Sequence, residues 1–292
     1  MTLATLAPLM MQASIVLTVT ALGLRARRGD VRSLLTDRGR LARSLLAMHV
    51  VMPLLAVTLA AAFDFHPAVK VALVALAVSP VPPLLPKKEL KAGGRGSYVV
   101  GLLVVSAVLA VAVVPAAVAL VGPQVGDPRH LSPNAVARLV AITVLVPLAA
   151  GIVLRHLAPG LADRAVKPAV SLSTLLFSTA AVLVVAASLR SIVSLLGNGT
   201  LLGVALFSAA GLATGHALGG PAREDRVVLA LSTASRHPGV ATAASAVIAP
   251  GETRMLAAIV LYLLVGGVLS RVYLGLLGHP AMAAGPGGPA AP

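Results

Sequence analysis

The chain has no cysteine and no tryptophan. Without cysteine there is no disulfide, no thiolate metal site and no cysteine nucleophile. Aromatic residues make up 2% of the chain, so belts of Trp and Tyr give little help in placing membrane interfaces. Acidic residues are scarce: Asp30, Asp37, Asp64, Glu89, Asp127, Asp163, Glu224, Asp225 and Glu252. All of them read as lying in loops or at the ends of apolar runs. A carboxylate in the middle of a span is a usual mark of a proton or cation pump, and its absence limits the mechanism. His49, His216 and His237 alone make no metal centre, and no carboxylate pair accompanies them. The sequence therefore implies no metal, no cofactor and no enzyme.

Apolar residues dominate instead, at 58% of 292 residues against 11% charged. That is far too apolar for a soluble domain of this size. Nine stretches have the length of a membrane-crossing helix: about 5–24, 44–63, 68–86, 98–121, 136–154, 168–188, 199–219, 226–250 and 255–277. The expectation is an all-α, polytopic integral membrane protein, with residues 1–279 as one transmembrane domain. The tail "GHPAMAAGPGGPAAP" is rich in Gly, Pro and Ala, and disorder is expected over 280–292. The first apolar run has no basic segment before it, so it reads as a membrane helix rather than a cleaved signal peptide.

The net charge of +14 would suggest nucleic acid in a soluble chain. In a membrane protein it reports orientation, because cytoplasmic loops collect Lys and Arg. The loops after spans 1, 3, 5 and 7 carry 7, 4, 3 and 2 basic residues, and Arg271 lies near the end of span 9. The opposite side holds only Lys70, Arg129, Arg138, Arg190 and Arg254. This bias implies an outside N-terminus and a cytoplasmic C-terminus in a cell membrane, read as a bacterial inner membrane. The expected surroundings are membrane lipid and a small-molecule substrate, with no nucleic acid.

Two spans are interrupted. Span 3 ends "ALAVSPVPPLLPKK", with Pro80, Pro82, Pro83 and Pro86, and span 8 contains Pro238-Gly239. Each proline lacks an N–H, which strips carbonyls one turn earlier of their helical partners. In hydrocarbon those carbonyls need protein or cavity water. The two spans run in opposite directions, and paired interruptions in oppositely oriented halves point to a transporter binding site. Pro53, Pro115 and Pro147 read as ordinary kinks.

Arg236 is the one basic residue inside a span. It lies ten residues after Arg226, which at about 1.5 Å per residue puts it roughly 15 Å deep, near mid-membrane. A charge at that depth needs water or a partner. Two readings are open: Arg236 meets an anion in a wet cavity, or it bonds carbonyls freed by the prolines. His49 and His216 come out roughly 10 Å deep from the same side, as binding groups or as neutral packing residues. Gly211, Gly215 and Gly219 repeat every four residues on span 7, a small-residue face that lets helices approach closely. Ser171, Ser173, Thr174, Ser178 and Thr179 give span 6 a mildly polar side, and such hydroxyls most often bond their own helix.

At the two interruptions the chain resembles the bile acid/sodium symporter family. "SPVPPLLPKKELKAGGRGSYVVGLLVVSAVLA" (residues 79–110) resembles that family's "CPGG-x-x-SN" segment with the loop and helix that follow. "LSTASRHPGVATAASAV" is similar to its "E-x-G-x-Q-N-x-x-LA" helix. The resemblance implies an inverted repeat with two unwound, crossing helices. Spans 2, 3, 4, 7, 8 and 9 would form a core and spans 1, 5 and 6 a panel. It also implies an organic-anion substrate carried by alternating access. Residue by residue, the family's sodium-binding carboxylate falls on Ser232, its glutamine on Arg236 and the neighbouring asparagine on His237. Its Ser-Asn pair falls on Leu85 and Pro86, and a later serine and threonine fall on Val99 and Leu103. Most side-chain oxygens of the sodium sites are thus replaced, and coupling to protons or to sodium is left open. The expected binding residues are Arg236, His237, Ser232, Pro82, Pro83, Pro238, Gly239, His49 and His216. The alternative is a membrane binding or sensing protein on a transporter scaffold that no longer transports.

Overall fold

The structure is a computed structural model that describes residues 3–26, 28–125, 138, 141–197, 199–248 and 254–278. The tail over 280–292 and the segment around Arg129 lie outside the described residues. Everything regular among them is helical. In order they are α1 (Leu3–Arg25), α2 (Arg28–Thr36), α3 (Arg38–Leu45), a π-helical turn (Leu46–Val51) and α4 (Met52–Ala62). Then come α5 (Pro67–Val78), α6 (Leu85–Lys91), α7 (Gly96–Val125) and a second π-helical turn (Ala141–Leu145). The remainder are α8 (Val146–Leu157), α9 (Pro159–Leu195), α10 (Thr200–Leu218), α11 (Arg223–Ala234), α12 (Pro238–Ile248) and α13 (Arg254–Leu276). Among the described residues five stretches are long and apolar enough to cross a membrane, namely 38–62, 96–117, 159–187, 200–218 and 254–276. Shorter apolar helices cover 9–25, 67–78 and 141–157. The chain is an all-α, multi-pass membrane protein.

Both expected interruptions are present. α5 stops at Val78, and Ser79 is extended at φ −72°, ψ 148°, as a residue before proline prefers. The chain resumes as α6 at Leu85, with Pro86 in its first turn, where a missing N–H costs nothing. α11 stops at Ala234, Ser235 is extended, and α12 begins on Pro238. The second break is therefore residues 235–237, ahead of Pro238. Gly239 lies inside the first turn of α12. A Cβ there would run into the end of Ile15 on α1, so this glycine permits a close approach rather than making the break.

The helices sort into two groups. α1 packs along α8 and α9, and these two touch each other. A Cβ on Gly23 would meet Gly151 Cα at 2.8 Å, so α1 and α8 lie backbone against backbone. The other group is built on α5, which touches α4, α7, α12 and α13, and on α10, which touches α11 and α13. The glycine face of α10 works as its spacing suggests: Cβ atoms on Gly211, Gly215 and Gly219 would strike the α11 backbone at Ala234, Ala230 and Arg226.

At the arginine-rich end, Asp225 joins three segments. It is 5% exposed and takes Arg95 Nε at 2.7 Å and an Arg40 terminal nitrogen at 3.2 Å. Arg95 also pairs with Glu224. Arg40 pairs with Asp37, which caps α3 through the Arg40 N–H. This basic end is closed by ion pairs that span α3, the α6–α7 loop and the start of α11.

Candidate functional site

The two breaks cross, and main-chain groups hold the crossing. The His237 N–H donates to the Pro80 carbonyl at 2.9 Å. Arg236 donates from one terminal nitrogen to the Ser79 carbonyl at 3.2 Å and from the other to the Met48 carbonyl at 2.9 Å. These two acceptors are carbonyls that prolines leave free. Around His49 the helix runs in π register, with Met52 N–H on the Ala47 carbonyl. The next bond of that series would run from residue 53 to Met48, and Pro53 has no N–H. Ser79 would be served four residues on by Pro83, which has none either. Tyr262 on α13 completes the set, with its hydroxyl donating to the Ala234 carbonyl at 2.5 Å. One arginine thus satisfies orphans of two separate segments, and it is fully buried.

Hydrogen bonds to carbonyls do not cancel a charge. Among the described residues no carboxylate pairs with Arg236, and its Nε has no partner. His237 is 4% exposed. Its Nδ1 accepts from the Val240 N–H at 3.4 Å, which leaves Nε2 as the N–H side of the neutral ring. That Nε2 also has no partner.

Two cavities flank the crossing, both between the helix groups. The first, about 250 Å³, is bounded on one side by Ser14, Thr18 and Phe177, and on the other by the breaks, with Pro82, Pro83, Lys88, Arg236, His237 and Pro238 on its wall. The second, about 570 Å³, is lined by Gln12, Thr143, Gly239, Thr242 and many apolar side chains. Ile15, Phe177, Pro238 and Leu263 belong to both linings and separate them.

Six of the nine expected residues therefore line a cavity: Arg236, His237, Pro82, Pro83 and Pro238 the first, Gly239 the second. The other three do not. His49 sits in the π-helical turn with Nδ1 unbonded. His216 bonds the Tyr273 hydroxyl at 2.9 Å, against α13. Ser232 is buried behind the break and donates to Glu89 Oε1 at 2.7 Å. That bond exposes a residue which sequence reasoning placed at a span end and passed over. Glu89 is 1% exposed and joins α6 to α11, the halves of the two broken helices nearer the arginine-rich end. Lys88, Ser14 and Thr18 were also missed. Lys88 lies in the hydrophilic run after the prolines, which the sequence marks as a loop, and the α1 hydroxyls lie in a run whose hydropathy hides them.

A model of the Sodium Bile acid symporter family matches residues 12–195. The chain belongs to this family. The matched region runs from the middle of α1 through the first break to the end of α9, so it holds one broken helix, most of α1 and all of α8 and α9. No curated protein matches the chain. Members of this family are membrane transporters. The replaced positions are described too: Leu85, Val99 and Leu103 are buried apolar side chains, and among the seven only Ser232 offers a hydroxyl.

Proposed function

We propose that the protein is a secondary transporter of a small organic anion, working by alternating access between the two helix groups. One observation carries this reading. The first cavity meets Arg236, His237 and Lys88, and no Asp or Glu among the described residues lines it. The unneutralised guanidinium raises the potential there, in surroundings that screen it weakly. α12 adds its N-terminal N–H groups and dipole at the same place. Nε2 of His237 is a donor in need of an acceptor, and an unmatched buried donor costs about 1–3 kcal/mol. The rest of the wall is mostly apolar, which suits an anion with an apolar body.

Sodium is not needed in this reading. A hard cation wants several oxygen ligands, and a fixed arginine charge beside them opposes it. The basic-residue bias supports an outside N-terminus and a cytoplasmic C-terminus in the cell membrane. The test is uptake of radiolabelled cholate and of shorter carboxylates into proteoliposomes, in sodium or choline buffer. Saturable uptake, equal in both buffers and reduced at least tenfold by His237→Ala, is expected. Binding without flux would favour the non-transporting scaffold. Steep sodium dependence would show that the replaced ligands had been misread.

A further inference from the structure

Among the described residues Glu89 has one hydrogen-bond donor, Ser232, and no cationic side chain within ion-pair distance. It is 1% exposed. Its backbone carbonyl turns the chain into α7, accepting the Gly94 N–H at 2.9 Å, so the residue is fixed at its main chain. An ionised carboxylate sealed from water with one hydroxyl beside it is far from compensated, and such a group neutralises instead. The titratable neighbours give little relief. Lys88 precedes it on α6, Tyr98 lies on α7, Ser232 faces it from α11, and Arg271 on α13 acts on Lys88. The Tyr98 hydroxyl is engaged with Ser44 at 2.7 Å, and Lys88 turns to the cavity wall.

We propose that Glu89 and Ser232 form a proton-binding site that links protonation to the relative position of the two broken helices. When α6 and α11 are closed on each other, Glu89 is a neutral carboxylic acid and accepts from Ser232. When they part, water reaches the carboxyl, the O–H bond ionises, and the proton leaves to that water while the carboxylate stays hydrated. Leu85 and Lys88, within one turn of Glu89, line the first cavity, as do Ser235 and Arg236 within about one turn of Ser232. Movement that opens the cavity therefore reaches the bond. The proton site stands on burial and pairing alone. Its coupling to anion movement rests on the transporter reading above.

Two measurements on the purified full chain in lipid nanodiscs and proteoliposomes separate the claims. The first is infrared difference spectroscopy across a pH titration. The wild type is expected to show a carboxylic-acid C=O band at neutral pH that Glu89→Gln removes and Ser232→Ala shifts. Identical wild-type and Glu89→Gln spectra would overturn the proposal. So would a Ser232→Ala band that does not move, which also covers the case in which Glu89→Gln fails to fold. The second is cholate uptake driven by an inward proton gradient. Uptake several-fold above the gradient-free level, with the dependence lost in Glu89→Gln, is expected. Gradient-driven uptake unchanged in Glu89→Gln would overturn the coupling. The band without any cholate flux would overturn the transporter reading while the proton site stands.

Discussion

Replacing Gly215 by alanine should separate α10 from α11 and weaken the whole crossing. The added Cβ would lie 2.5 Å from Ala230 Cα and 2.6 Å from Ala230 N, with the Leu229 carbonyl closer still. Comfortable carbon contacts lie at about 3.5–4.0 Å, so the helices must part by roughly 1 Å. No rotamer relieves this, because the obstacles are main chain on a helix of twelve residues. Overpacking costs about 1–3 kcal/mol, and a backbone obstacle belongs at the upper end. The gain in helix propensity, about 1 kcal/mol, offsets part of it, so a net loss of about 2 kcal/mol is expected. Gly275→Ala is the control: it lies on α13 with nothing near its Cβ and should keep only the propensity gain. Denaturation of purified protein in mixed detergent, followed by size exclusion, reads the difference. A Gly215→Ala protein as stable as Gly275→Ala would refute the backbone-contact reasoning.

Arg236→Ala strands the Ser79 and Met48 carbonyls as well as removing the charge. It should lose about 2–6 kcal/mol by the same denaturation assay, taking about 1–3 for each orphaned group. Arg236→Lys keeps the charge but not the planar fork that serves two carbonyls, so its stability should fall between wild type and alanine; equality with wild type would show that the fork is unused. Asp225→Asn leaves Arg40 and Arg95 without their shared carboxylate, and a loss of about 2 kcal/mol is expected, between exposed and buried pairs. Adding salt should narrow that gap. Reporter fusions after Lys91 and after Pro292 should read cytoplasm, and one near Arg129 should read the outside; a cytoplasmic signal at Arg129 would overturn the assigned orientation.

Hydropathy and prolines made the architecture legible. Among the described residues each of the nine apolar stretches has its helix or broken helix, because a span must be long and apolar and a run such as Pro80-Val81-Pro82-Pro83 cannot be helical. The glycine face of α10 was legible for the same local reason. What stayed hidden depends on register or on distant pairing. Arg236 was visible as a misplaced charge, but Met48 as its acceptor follows only from the π register before Pro53, which hydropathy does not encode. Glu89 sits in the hydrophilic run "PKKELKAGGRGS", and only the fold brings it to Ser232, 143 positions away. Arginines counted for orientation also hold the basic end together, since a count of charges says nothing about Asp225 between Arg40 and Arg95.

The crossing rests largely on groups that every amino acid carries. The link from His237 to Pro80 runs between main-chain atoms, and the acceptors at Ser79, Met48 and Ala234 are carbonyls. Side chains at Ser79, Met48 and Ala234 can therefore drift without changing what is bonded. Such a joint passes through generations as a shape rather than a spelling. Lineages built on it can retune the neighbouring cavity while the motif letters erode, provided the prolines and one long donor persist.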